Sequence, residues 1–337
     1  MMLRATRSDG KATEAYAPAA HGPLTATDVF DTAFHLYRRH FVRLVVISAL
    51  VMGPVNVVTI AGAHVLGVDA LLSPSMEPNG SGEVTPSELS MLLGALAYYL
   101  VTGLATSLGY VLQMAALVAF ASDAYHGIAC TVRNAYQRAA GAYGRLLGTY
   151  LLLIAFVGGA YMVVGMGAMM FVAAAAGVSG GAGVVVGIAA VLVVAVVVVA
   201  LLVGLVGCGA FLAQIAVVEG VAYFDAIRRN WMLVRTQPWR VLGGLVFLWV
   251  LIGVFQSAFT LSLGAVITEI LYPMVGIGAG ASTVTLNALG AVSNLFVQPY
   301  LVVALTAYYY NLRLKNEALD ILWQLSRTVS GSARSAA

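Results

Sequence analysis

Charge is what this sequence has least of. Only 9% of its 337 residues are charged, 61% are hydrophobic, and mean hydropathy is +0.93. A soluble domain carries about 25% charged and roughly 45–50% apolar residues. Too little polar surface exists to coat a water-soluble particle of this size, so the chain reads as an integral membrane protein. Cysteine is scarce too. Cys130 and Cys208 are the only two, which excludes a disulfide framework, and both read as packing residues. The five histidines are His21, His35, His40, His64 and His126, and none falls at a metal-ligand spacing. No H-E-x-x-H, G-x-S-x-G, P-loop or C-x-x-C is present. The sequence therefore calls for no metal, no cofactor and no hydrolytic activity. The first forty residues are too polar for a cleavable signal peptide, and the apolar run from Phe41 reads as an uncleaved signal anchor.

Long apolar runs are what the chain has in abundance. The first, Phe41 to Val65, is interrupted by Arg43, Asn56 and His64, and Pro54 inside it predicts a kink. The second, Met91 to Ser122, suits one long helix. From Arg145 to Glu219 no charged residue intervenes. That run holds two crossings, with the turn expected at Gly177–Gly183. From Arg240 to Arg313 only Glu269 is charged, which gives two more, turning between Tyr272-Pro273 and Ser282. The expected fold is all-α: six transmembrane helices in three hairpins, each hairpin preceded by an interfacial amphipathic helix. Residues 24–326 form one membrane domain with an external loop at 67–90. Residues 1–23 and 327–337 read as disordered tails.

The charges sort by side. Lys and Arg are confined to the N-terminal tail, the segments near 38–43, 133–145 and 228–240, and the stretch after Leu312. The other side holds Asp69, Glu77, Glu83, Glu88 and Glu269. The positive-inside rule then places both termini in the cytoplasm of a multi-pass cell (inner) membrane protein. Asn79-Gly80-Ser81 matches a glycosylation sequon, a pattern short enough to arise by chance.

Three segments share one order of features: an amphipathic helix, an aromatic joint, then an arginine (Arg43, Arg145, Arg240) leading into an apolar run. They read as parallel repeats about an axis along the membrane normal. In the third, Phe224, Ile227, Trp231 and Val234 form an apolar stripe, with Asp225, Arg228, Arg229 and Arg235 opposite. In the first, Phe30, Phe34, Tyr37 and Phe41 recur at helical spacing.

The texts LYRRHF from Leu36, SDAYHGIACTVRNAY from Ser122, EGVAYFDAIRRNWMLV from Glu219 and YYNLRLKNEALDI from Tyr309 carry a resemblance spanning about residues 24–325. The chain resembles a bacterial and archaeal family of six-helix membrane proteins, which is similar to the membrane domain fused to some glycerophosphodiester phosphodiesterases. The resemblance implies a membrane domain without the catalytic barrel.

The leading expectation is a non-enzymatic protein that engages lipid or anchors a partner through its interfacial helices. Its candidates are Arg38, Arg39, Arg133, Arg138, Arg145, Arg228, Arg229, Trp231, Arg235 and Arg240. Anionic headgroups are the expected ligand at about 1 kcal/mol for each basic residue near the surface, and nucleic acid is not needed to explain the charges. The alternative is a transporter of a small solute or lipid using amides at membrane depth: Asn56, Gln113, Gln214, Gln256, Asn294 and Gln298. Such amides should face the bundle interior. Asp123 and Glu219 are expected to pair with nearby arginines. Tyr308–Tyr310 and the tryptophans suit an aromatic belt. Gly158, Gly159, Gly165, Gly167, Gly204, Gly207, Gly209, Gly243 and Gly244 are expected to let helices approach closely.

Overall fold

A computed structural model describes residues 26–65, 86–176, 187–188, 191–197, 204, 209–275 and 281–317. Among these, all regular structure is helical. Five helices are long and apolar enough to cross a membrane, and they make the chain a multi-pass membrane protein. The first is α1 (Ala26–Val65), followed by α2 (Pro86–Tyr125) and α3 (Val132–Ala176). A short α4 (Leu212–Gln214) runs into a π-helical turn, Ile215–Glu219. Next comes α5 (Tyr223–Val234), a 12-residue helix. Then α6 (Pro238–Ala265) continues through a π-helical stretch, Val266–Leu271, and α7 (Ala281–Glu317) closes the described chain. The expected fourth crossing falls largely outside the described residues, as do the Gly177–Gly183 turn and both tails.

The three expected joints differ. In α1 the helix breaks at His40 (φ −114°, ψ 17°), between the amphipathic stretch and the apolar run, while Pro54 is accommodated inside a continuous helix. A break not expected from the sequence thus marks the joint, upstream of Pro54. In α3 no break occurs, and amphipathic and apolar stretches form one 45-residue helix. Gly141, Gly144 and Gly148 surround Arg145, yet no proline interrupts the stretch and the helix runs through it. Only the third joint is a true turn, with Pro238 opening α6 at its first position, where its missing N–H costs nothing. Residues 86–90, expected in the external loop, already belong to α2 for the same reason: Pro86 starts it.

The core lies towards the basic end, and α7 is its pillar. Residues 301–312 are buried without interruption. A helix buried all round must be surrounded by other elements. Three successive tyrosines, about 100° apart around the axis, show what surrounds it. Tyr308 donates to the Arg240 carbonyl of α6 at 2.9 Å. Tyr309 donates to Glu219. The Tyr310 hydroxyl bonds Ser122 of α2 at 2.7 Å, and its ring stacks on Tyr125 at 4.9 Å. Their expected place in an aromatic belt is corrected: they are 6%, 0% and 8% exposed, because each hydroxyl finds a partner inside the bundle.

Other tyrosines clamp helix pairs through backbone carbonyls. Tyr37 of α1 donates to Phe296 of α7 at 2.8 Å, and Tyr136 of α3 donates to Ile47 of α1 at 2.6 Å. Among the described residues the glycine expectation is met in part. A Cβ on Gly158, Gly159, Gly165, Gly167, Gly204 or Gly243 would meet nothing within 4 Å. Those residues are held at no close helix contact in the described structure. Of the expected set, Gly244 does pack tightly, where a Cβ would sit 3.1 Å from the Tyr308 ring. Gly148, not singled out by the sequence, faces the Tyr223 ring so closely that a Cβ there would sit 2.5 Å from it. Gly207 and Cys208 lie outside the described residues.

Candidate interface site

The short helix α5 is amphipathic, and its docking face takes in only part of the apolar stripe, Ile227 and Val234. Its buried residues are Ala226, Asn230, Leu233 and Val234. Asn230 is fully buried, and its Oδ1 accepts from the Phe211 amide at 3.0 Å. At the start of the helix, the Tyr223 amide donates to Thr149 Oγ1 of α3 at 2.8 Å. The chain reaches that point through two residues with positive φ, Gly220 (73°) and Tyr223 (56°). Glycine occupies this region freely, whereas Tyr223 is held there against a steric cost. Of the apolar stripe, Phe224 and Trp231 are 69% and 50% exposed. They share the outward face with Arg228, Met232 and Arg235, all exposed. The expectation that Arg228 and Arg235 lie opposite that stripe is corrected: at 224, 228, 231 and 235 the helical spacing sets arginines and rings side by side.

The inner face is locked by charge. Arg229 grips Glu219 with two hydrogen bonds, Nε to Oε2 at 2.9 Å and Nη2 to Oε1 at 3.2 Å, and also pairs with Glu317. Arg313 pairs with Glu317 at 3.0 Å and with Glu219 at 3.5 Å, and its guanidinium lies 5.7 Å from the centre of the Tyr309 ring. Two arginines and two glutamates thus close a network joining the π-helical turn, α5 and α7. Burial alone would raise the Glu219 carboxyl. Hydrogen bonds from Arg229 and Tyr309 and the charges of Arg229 and Arg313 outweigh it and hold that carboxyl below the ordinary range. Arg229 is held above its ordinary value, first by its hydrogen bond to Glu219.

The remaining arginines divide in the same way. Arg138 pairs with Asp123, and Arg240 reaches Gln237 Oε1 at 3.4 Å. By contrast, Arg38, Arg39, Arg133, Arg145, Arg228 and Arg235 are exposed and carry no ion pair among the described residues. Arg145 lies beside the Gly220 turn, its Nη1 3.9 Å from where a Cβ would be. Near Asp123, Cys130 is buried, and burial, with Asp123 beside it, pushes its thiol up to about 11. At neutral pH it is a protonated packing residue.

The amides do not gather. Gln298 donates to the Tyr110 hydroxyl at 2.8 Å. Gln113 and Gln214 are buried, and neither polar atom of the Gln214 side chain has a partner among the described residues. Asn56 and Gln256 are half-buried. Asn294 is exposed, against the expectation that it faces the interior: it stands one position beyond Ser293 on α7, and the 100° step turns it away from the packed side. No group of three or more His, Cys, Asp or Glu residues that could hold a metal is found among the described residues. Asn230 and Tyr309 were missed from sequence. The signal for Asn230 was an amide between Ala226 and Leu233 at helical spacing, which marks a packed face. No known protein family, curated protein or solved structure matches the chain.

Proposed function

We propose that this is a non-enzymatic membrane protein that binds anionic lipid headgroups at the cytoplasmic surface of the cell membrane. The observation that carries the proposal is the outward face of α5, where Phe224, Arg228, Trp231 and Arg235 are exposed beside one another while the opposite face is locked to the bundle. Aromatic rings suit the headgroup level, and arginines without protein counter-ions attract lipid phosphate at about 1 kcal/mol each. Trp239, at the start of α6, is exposed as well. Six crossings in three hairpins, with both termini cytoplasmic, are part of this reading. The confinement of Lys and Arg to one end supports it. The resemblance to a membrane domain that accompanies, but does not contain, a phosphodiesterase fits a non-catalytic role.

Fluorescence of a variant whose sole tryptophan is Trp231 (Trp239→Phe, Trp249→Phe, Trp323→Phe) tests the reading. In vesicles, brominated phosphatidylglycerol is expected to quench Trp231 more than brominated phosphatidylcholine does. Adding Arg228→Glu and Arg235→Glu should erase that preference. Equal quenching by both lipids before the charge reversal would sink the proposal, and would point to a protein partner as the occupant of the face.

A further inference from the structure

The outward face of α5 also constrains the shape of the headgroup it suits, an inference that rests on the lipid reading above. Arg235 follows the last helical residue but keeps helical geometry, at φ −60° and ψ −21°, with its amide on the Trp231 carbonyl at 2.9 Å. Helical spacing therefore relates all four outward residues. Arg228 and Arg235 are seven positions apart, which sets them about 10.5 Å apart along the axis and only about 20° apart around it. Phe224 and Trp231, also seven apart, form a second row roughly 40° to one side. Two arginines thus stand in line, with an aromatic row beside them.

The helix surface between the arginines is Trp231 and Met232, 50% and 36% exposed. No acidic residue occurs between them in the sequence. Asp225 is exposed too, but it precedes Arg228 and falls on the side away from the rings. Neither arginine has an ion pair among the described residues. Long side chains on a helix lean towards its N-terminus, which keeps two forks seven positions apart from converging on one anion. Each guanidinium fork suits one phosphate. The face therefore offers a pair of phosphate positions about 10 Å apart. Two phosphates joined by a short bridge fill the pair in one binding event, because holding the first keeps the second close at hand. Two separate lipids gain no such advantage.

We propose that the outward face of α5 prefers a lipid with two phosphates on one headgroup, joined by a three-carbon bridge, over lipids with a single phosphate, Arg228 and Arg235 each taking one of the pair. The full chain with Trp231 as its sole tryptophan, in phosphatidylcholine vesicles, provides the test. Brominated diphosphatidylglycerol is used at half the mole fraction of brominated phosphatidylglycerol, so that the two arms match in phosphate, acyl chains and bromine. Half-maximal quenching is expected at about fivefold less phosphate for the bridged lipid, the weight of one further basic contact at about 1 kcal/mol. Arg228→Gln alone, or Arg235→Gln alone, should bring the two lipids to the same half-quenching point. Both single variants should keep the wild-type thermal midpoint and still prefer anionic lipid to phosphatidylcholine. Equal half-quenching points in the wild type, or a gap that survives either single substitution, would overturn the proposal and leave the headgroup reading standing. Quenching by neither anionic lipid beyond that of brominated phosphatidylcholine would overturn both.

Discussion

Arg228 and Arg229 are neighbours in sequence and opposites in structure. Arg229 turns inward to Glu219 and Glu317, whereas Arg228 is exposed with no ion pair among the described residues. One helix therefore carries a structural arginine and an unengaged one, a single 100° step apart. The comparison teaches that basic residues at a membrane surface cannot be treated as one class. Some hold the fold together, and the rest are left for whatever lies outside it.

The largest expected effect is on the locked side. Arg229→Leu strands Glu219 and Glu317 in a partly buried site. Removing one member of a fully buried pair costs about 3–5 kcal/mol; here, with the Arg229 side chain still 26% exposed, about 2 kcal/mol is expected once solvent screening is allowed for. The thermal midpoint in detergent should fall accordingly, and Arg228→Leu should leave it unchanged. Next comes Asn230→Leu, which orphans the buried Phe211 amide and should cost about 1–3 kcal/mol. Acid should attack the same network. Glu219 is held below its ordinary 4.5, so its contribution is complete above that pH and is lost as pH falls through the lowered value. A midpoint scan from pH 7 to pH 3 should show this loss in the wild type and its absence in Glu219→Gln. Smaller still, Gly148→Ala should cost about 1 kcal/mol by pressing on the Tyr223 ring. Tyr223→Gly should rescue it by removing both the ring and the strained φ of 56°. A Gly148→Ala chain as stable as the wild type would show that the ring moves freely.

Much of the fold was legible in the sequence. The apolar runs located each of the five long helices, and the joint between amphipathic and apolar stretches of α1 appears as the break at His40. What could not be read was which face packs. In water, the apolar face of a helix is its inner face. In lipid both surroundings are apolar, so Phe224 and Trp231 point outward while Ala226 and Asn230 point in. The same ambiguity misplaced Tyr308–Tyr310, whose rings suit an aromatic belt as well as a core. Only their hydroxyl partners, on three different elements, decide between them. Also invisible in the sequence was an apolar cleft between α1, α6 and α7, since Phe34 and Leu251, which both line it, stand more than two hundred residues apart.

Native mass spectrometry of purified protein with its retained lipids tests the central claim most directly, applied to wild type, Arg228→Glu with Arg235→Glu, and Arg229→Leu. The structure predicts that the wild type keeps anionic lipid, that the outward double variant loses it at an unchanged thermal midpoint, and that Arg229→Leu loses stability. Retention of the same anionic lipid by the double variant would contradict the division of labour between the two faces of α5.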